Sequence, residues 1–158
     1  MAPSRVSAVI LVNPDGWLLL QERDAAASVA PNKWGLVGGH LEPNEDFEGA
    51  AYRELAEETG ANWKSGLVRW FDGTFRHSAE RRANRVQVWV GATDLTDRDI
   101  VLGEGRQIIF INPAEIHRLD MGEMAGHFVT ALLRSAIYAD LVTTARSIAE
   151  SGATASGT

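Results

Sequence analysis

Glu54, Glu57 and Glu58 are the densest concentration of chemistry in the sequence. At positions i, i+3 and i+4 of a helix their carboxylates project from one face, within a few ångströms of each other. Like charges at that spacing cost about 0.2–0.5 kcal/mol per pair, so the cluster calls for something that neutralises it. A hard divalent cation would do so. Mg²⁺ takes a few carboxylate oxygens and keeps its remaining positions for water or substrate phosphate. Arg53, next in the chain, can orient one of the carboxylates through a bidentate pair. The ordinary alternative for three glutamates on a helix is a solvated acidic face, and the surrounding residues weigh against it.

Those surroundings run from Gly38 to Ala61, GGHLEPNEDFEGAAYRELAEETGA. Gly38 and Gly39 permit a sharp turn and a close backbone approach to a ligand. Pro43, Asn44 and Glu45 lead into a helix expected over Asp46–Thr59. Asn44 is the expected N-cap, Glu45 and Asp46 lie near the positive end of the helix dipole, and Gly60 is the stop. Phe47, Ala50, Ala51 and Leu55 form an apolar face that should pack on the rest of the domain.

Gly39, Glu45, Arg53, Glu54, Leu55, Glu57, Glu58 and Gly60 stand at the spacing of the Nudix hydrolase signature. In that signature a glycine is followed after five residues by glutamate, and after seven more by Arg-Glu-aliphatic-x-Glu-Glu-x-Gly-aliphatic. The stretch resembles that family over the whole motif, with the small Ala61 in place of the last aliphatic residue. A match of this length carries far more information than an isolated glycine motif.

The 158-residue chain has 45% hydrophobic residues, enough for one globular domain, expected over residues 1–150 with a flexible tail at 151–158. Its formal net charge of −6 disfavours a nucleic-acid polymer as partner, because such partners require clustered Lys and Arg. An acidic chain can still bind a nucleotide when cations screen the charges. The absence of cysteine excludes disulfides, thiolate catalysis and zinc–thiolate sites. No apolar run is long enough to suggest a membrane helix, so a soluble, cytoplasmic protein is expected.

Along the chain, Val6–Val12 and Trp17–Glu22 read as strands around the turn Asn13-Pro14-Asp15-Gly16. Trp34–Val37 is a short strand leading to the glycines. Leu67–Phe75, Arg85–Val90 and Gln107–Ile111 are further strands, the second alternating Val86, Val88 and Val90 with Gln87 and Trp89. Ala114–Arg118 suggests a helical turn. Met124, Phe128, Leu132 and Ile137 suggest one C-terminal helix packed on the sheet. Strands interrupted by one helix and closed by another make an α/β (α+β) fold with a central mixed β-sheet, and the resemblance implies the same α/β/α sandwich.

The resemblance further implies Mg²⁺-dependent hydrolysis of a phosphoanhydride bond in a nucleoside diphosphate derivative, with Mn²⁺ as the alternative cation. It makes Glu54, Glu57, Glu58 and the Gly38 carbonyl metal ligands, and Arg53 the residue that orients them. Gly39, Glu45 and Gly60 shape the motif. The general base is left open among Glu57, Glu58 and Glu104, the last set between Gly103 and Gly105. Arg23 and Arg85 are candidate phosphate-binding residues, and Trp34, Trp70 or Trp89 could stack on a base. Downstream of the motif there is no proline before Pro113, and the only tyrosines are Tyr52 and Tyr138. These features, with Asn32-Lys33-Trp34 before the glycines, resemble the mutator-type branch and imply a nucleoside triphosphate substrate. A nucleotide sugar or ADP-ribose, or a non-hydrolytic nucleotide-sensing domain, are the alternatives. The isoprenoid isomerase branch needs a catalytic cysteine, which this chain lacks. A homodimer is compatible with the fold, though no sequence feature requires it.

Overall fold

The computed structural model describes residues 3–27, 30–63, 65–103 and 105–156, with side chains up to 152. The β-branched run near the N-terminus forms β1 (Arg5–Val12), and it lies at the centre of a seven-stranded mixed sheet. Strands β2 (Leu18–Glu22), β3 (Trp34–Gly35), β4 (Val37–His40), β5 (Val68–Phe75), β6 (Asn84–Ala92) and β7 (Gln107–Ile111) complete it. β1 runs parallel to β6 over its whole length, with Ala8 opposite Val88, and antiparallel to β4, with Ala8 opposite Gly38. β2 pairs with β3 and β7. β5 is an antiparallel edge strand beside β6, with a register shift between Arg69 and Phe71. The stretch read as one strand, Trp34–Val37, is therefore two: the chain leaves β2 at Gly35 and joins β1 at Val37.

Alternation along the strands sorts the core into two layers. Ile10, Leu18, Leu20, Val86, Val88 and Val90 face helix α2 (Glu123–Leu133), which contributes Phe128, Val129 and Leu132. Val9, Leu11, Leu19 and Trp89 face helix α1 (Phe47–Thr59), which contributes Ala51 and Leu55. The α/β/α sandwich expected from the sequence is the observed fold.

Three local expectations change. The N-cap of α1 is Asp46, whose Oδ1 accepts the Gly49 N–H at 2.7 Å. Asn44 instead occupies a left-handed turn position at φ 65°, which asparagine tolerates well. The expected single C-terminal helix is two, α2 and α3 (Ala136–Ser156), bent by 79°. Leu132 and Ile137 are five residues apart, out of step with a helical face, and the break falls between them. There Ser135 returns both its N–H and its hydroxyl to the Leu132 carbonyl, at 3.0 and 2.6 Å. α3 also continues to Ser156, through the stretch expected as a flexible tail from residue 151. Among the described residues no single helix is long and apolar enough to cross a membrane.

Candidate functional site

α1 is docked by its apolar side, with Ala50, Ala51 and Leu55 fully buried, and its N-terminus is tied to β1 by the Ser7 hydroxyl donating to the Phe47 carbonyl at 2.5 Å. Its C-terminus is closed by Gly60 at φ 73°, whose N–H reaches the Ala56 carbonyl. That docking fixes the rotation of the helix and separates the three glutamates. The Glu57 side chain is 58% exposed and the Glu54 side chain 13%, whereas Glu58 is buried at 6%.

Two adjoining cavities meet at these residues. One, of about 660 Å³, is lined by Gln21, Arg23, Asp24, Gly38, Glu54 and Glu58 among others. The smaller, of about 350 Å³, is lined by Glu54, Glu57, Glu58 and Gly103. The two glycines of the preceding loop make room for this junction. Gly38, at φ 146°, has the Ser7 carbonyl where a Cβ would stand, and a Cβ on Gly39 would come within 2.5 Å of Glu54 Oε1.

Arg53 is the hub of the acidic cluster. Its Nε donates to Glu45 Oε2 at 2.7 Å and its Nη2 to Glu45 Oε1 at 2.8 Å, a bidentate pair. Its Nη1 donates to Glu54 Oε1 at 3.0 Å and Glu57 Oε2 at 3.1 Å, and Nη2 also reaches the His40 carbonyl at 3.2 Å. The guanidinium holds the Glu45 carboxyl well below the usual carboxylate range, at about 2. Glu45 also accepts the Glu42 N–H at 3.0 Å, so it pins the loop to the helix.

Glu58 is shifted the opposite way. Burial first, and then repulsion from the Glu54 carboxylate, push its carboxyl up to about 9. A hydrogen bond from the Gly38 backbone and the charge of Arg23 pull weakly the other way. Glu58 Oε2 is buried with no hydrogen-bond partner. Two neighbouring carboxylates, one with an orphaned buried oxygen, need either a retained proton or a cation to be stable. Among the described residues no three acidic or imidazole side chains stand as a ready-made cation cage. Arg53 draws Glu54 and Glu57 toward itself while Glu58 faces inward. The donors are nonetheless all hard oxygens around a buried carboxyl oxygen without a hydrogen-bond partner, a set that fits Mg²⁺ or Mn²⁺.

The remaining sequence candidates separate cleanly. Arg23 follows β2 and lines the larger cavity. Arg85 does not: it stands on β6, where its Nε and Nη2 hold Asp72 of β5 at 3.2 and 2.7 Å. Glu104 lies outside the described residues; its neighbours Gly103 and Gly105 line the cavity. Trp34 and Trp89 are 7% exposed within the two core layers, Trp70 packs at 6.3 Å against Phe128, and none of the three lines the cavities. Sequence reasoning missed Gln21 and Asp24, which line the same wall as Arg23. The alternation of Leu19, Gln21 and Arg23 along one strand face was the signal that could have found the first of them.

A mixed sheet between helices, with a glycine loop and an acidic helix framing a cleft, defines an α/β/α sandwich domain of the Nudix type. The chain belongs to the Nudix family: the family model described as NUDIX domain matches residues 1–132. It is similar to the nucleoside triphosphatase NudI of Salmonella agona, at 29% identity over 127 residues covering 74% of this chain and 88% of that one. It is also similar to an isopentenyl-diphosphate Delta-isomerase of Nocardia farcinica, at 32% identity over 130 residues covering 78% and 71%. The MutT protein from Methanosarcina mazei Go1 shares the fold, with a TM-score of 0.63 and 21% identity over 78% of this chain and 88% of that one. Against the m7GpppN-mRNA hydrolase NUDT17 of Bos taurus, 40% identical over 63 residues, the match covers 40% of this chain and only 21% of that relative.

Proposed function

We propose that this chain is a Mg²⁺-dependent pyrophosphohydrolase that cleaves a phosphoanhydride bond in a nucleoside diphosphate-linked compound. The leading substrate is a nucleoside triphosphate, canonical or modified, split to a nucleoside monophosphate and pyrophosphate. The observation that carries this reading is the buried Glu58 carboxyl with its orphaned oxygen, set beside Glu54 at the junction of two cavities, one of which contains Arg23. A merely solvated acidic face would have no reason to bury one of its members. The similarity to a nucleoside triphosphatase supports the substrate class. The isomerase reading lacks the cysteine its branch requires.

In hydrolysis, the oxygen of a water molecule bonds to phosphorus, one phosphoanhydride P–O bond breaks, and the water gives up a proton. Glu54, Glu57, Glu58 and the Gly38 carbonyl would hold the cation, which screens phosphate oxygens and acidifies water when bound. Arg53 keeps Glu54 and Glu57 in place by sharing one nitrogen between them. Arg23 grips a phosphate oxygen from the β2 side of the cleft. The proton acceptor is Glu57, Glu58 or Glu104, each of which can be removed separately.

The test is Mg²⁺-dependent turnover of a panel of nucleoside triphosphates, nucleotide sugars, ADP-ribose and dinucleotides. Monophosphate and pyrophosphate release from a triphosphate is the expected result, with Glu57→Gln, Glu58→Gln or Glu104→Gln abolishing the acidic limb of the pH–rate profile and so naming the base. Folded protein that turns over no member of the panel with Mg²⁺ or Mn²⁺ overturns the proposal.

A further inference from the structure

β2 alternates strictly. Leu18 and Leu20 enter the core under α2, and Leu19 enters the core under α1. Gln21 shares the face of Leu19, one step further along, and Arg23 lies one step beyond it. Both line the 660 Å³ cleft that holds Gly38, Glu54 and Glu58. Gln21 is only 4% exposed, so its carboxamide forms part of the cleft floor. A leucine would continue the pattern of the strand and fill the floor at least as well. Gly105 packs closely over this side chain: a Cβ there would come 3.0 Å from Gln21 Nε2 and 2.8 Å from the Glu22 carbonyl. The amide is thus held on a regular strand, beneath a backbone that leaves it room.

The charges that share the cleft explain why a neutral donor suits this position. Glu54 and Glu58 form the neighbouring acidic pair, Asp24 adds another carboxylate, and Arg23 supplies a positive charge. A second lysine or arginine at position 21 would pair with Glu54 or Glu58 and compete with a divalent cation. A carboxamide presents two N–H donors and no charge, so it can bond a phosphoryl oxygen and leave the acidic pair available.

We propose that Gln21 is a substrate-positioning residue, donating its amide N–H to a non-bridging phosphoryl oxygen of the phosphoanhydride beside Arg23. This inference rests on the phosphoanhydride-hydrolase reading of the same cleft. Its test compares wild type with Gln21→Leu and Gln21→Glu in two readouts. One is steady-state hydrolysis of the best substrate in the panel. The other is calorimetric binding of methylenediphosphonate in the presence of Mg²⁺, which needs no turnover. Gln21→Leu should weaken analogue binding and raise KM about tenfold, with kcat changed much less and thermal stability equal or higher. Gln21→Glu, which faces the phosphate with a negative charge, should lower kcat/KM by roughly a hundredfold at an unchanged circular dichroism spectrum. A folded Gln21→Leu protein whose KM and analogue affinity both lie within about twofold of wild type overturns the role of Gln21 and leaves the hydrolase reading intact. A folded wild type that neither hydrolyses the panel nor binds the analogue overturns both.

Discussion

Replacing Glu58 by glutamine should make the cation-free protein more stable at neutral pH, against the usual cost of altering a functional carboxylate. The Glu58 carboxyl is raised from 4.5 to about 9 in the folded chain by burial and by Glu54. The folded state therefore keeps a proton that the unfolded state releases. The stability contributed by Glu58 is fully present below 4.5 and is lost as pH rises through about 9. Each pH unit inside that window removes about 1.4 kcal/mol, so at about pH 7.5 the wild type has lost about 4 kcal/mol. Glutamine has the same shape and a neutral amide, and is free of this penalty. Urea unfolding, followed by tryptophan fluorescence with a chelator present between about pH 5 and pH 8.5, reads the difference. The wild-type free energy should fall steeply across the range, while Glu58→Gln stays nearly flat and is the more stable protein at the alkaline end. Millimolar Mg²⁺ should restore the wild type and leave the variant unmoved. Parallel pH profiles for the two proteins would refute the argument, because Glu58 would then not be a proton-retaining buried acid.

Arg53→Lys keeps the charge but loses the two-nitrogen grip on Glu45 and the shared nitrogen between Glu54 and Glu57. It should lower kcat by about 10–100-fold and reduce the melting temperature, measured by steady-state kinetics and thermal melts. Gly39→Ala places a methyl group 2.5 Å from Glu54 Oε1 and should abolish Mg²⁺-induced thermal stabilisation with helix content unchanged. At the acid end the sign of the titration reverses. Glu45, lowered from 4.5 to about 2 by Arg53, contributes stability above 4.5 that is lost as pH falls toward 2. Arg53→Ala should flatten that limb of an acid-unfolding curve.

The loop and helix from Gly38 to Gly60 were legible in the sequence because their signals are local: spacing on one helix, a glycine turn and a left-handed stop. The strands were legible for the same reason, through β-branched runs and turn residues. What spacing cannot supply is how a helix is rotated against its sheet. Glu54, Glu57 and Glu58 share a face by sequence, yet only the docking of Ala51 and Leu55 decides that Glu58 is buried and Glu57 exposed. Aspartate caps a helix as well as asparagine does, and the cap falls on Asp46 where Asn44 was expected because of a backbone turn that no side-chain pattern encodes. Arg85, a phosphate candidate by sequence, holds Asp72, thirteen residues upstream, which the β5–β6 pairing brings to a diagonal position beside it. The α2–α3 break was written as a five-residue step between apolar positions, a slip easily missed within an otherwise helical run.

The segment before β7 is stitched to the last turn of α1: the Val101 N–H bonds the Thr59 carbonyl at 2.8 Å, and the Gly103 N–H bonds the Glu58 carbonyl at 3.1 Å. Gly103 rests so closely on the Glu57 carbonyl that no side chain could be inserted between them. Carbonyls left spare by the end of a helix have been recruited as a clasp for a piece of chain more than forty residues away. Lengthening that segment by a single residue should uncouple the far rim of the cleft from the acidic helix, so that one could be re-engineered while the other kept its shape.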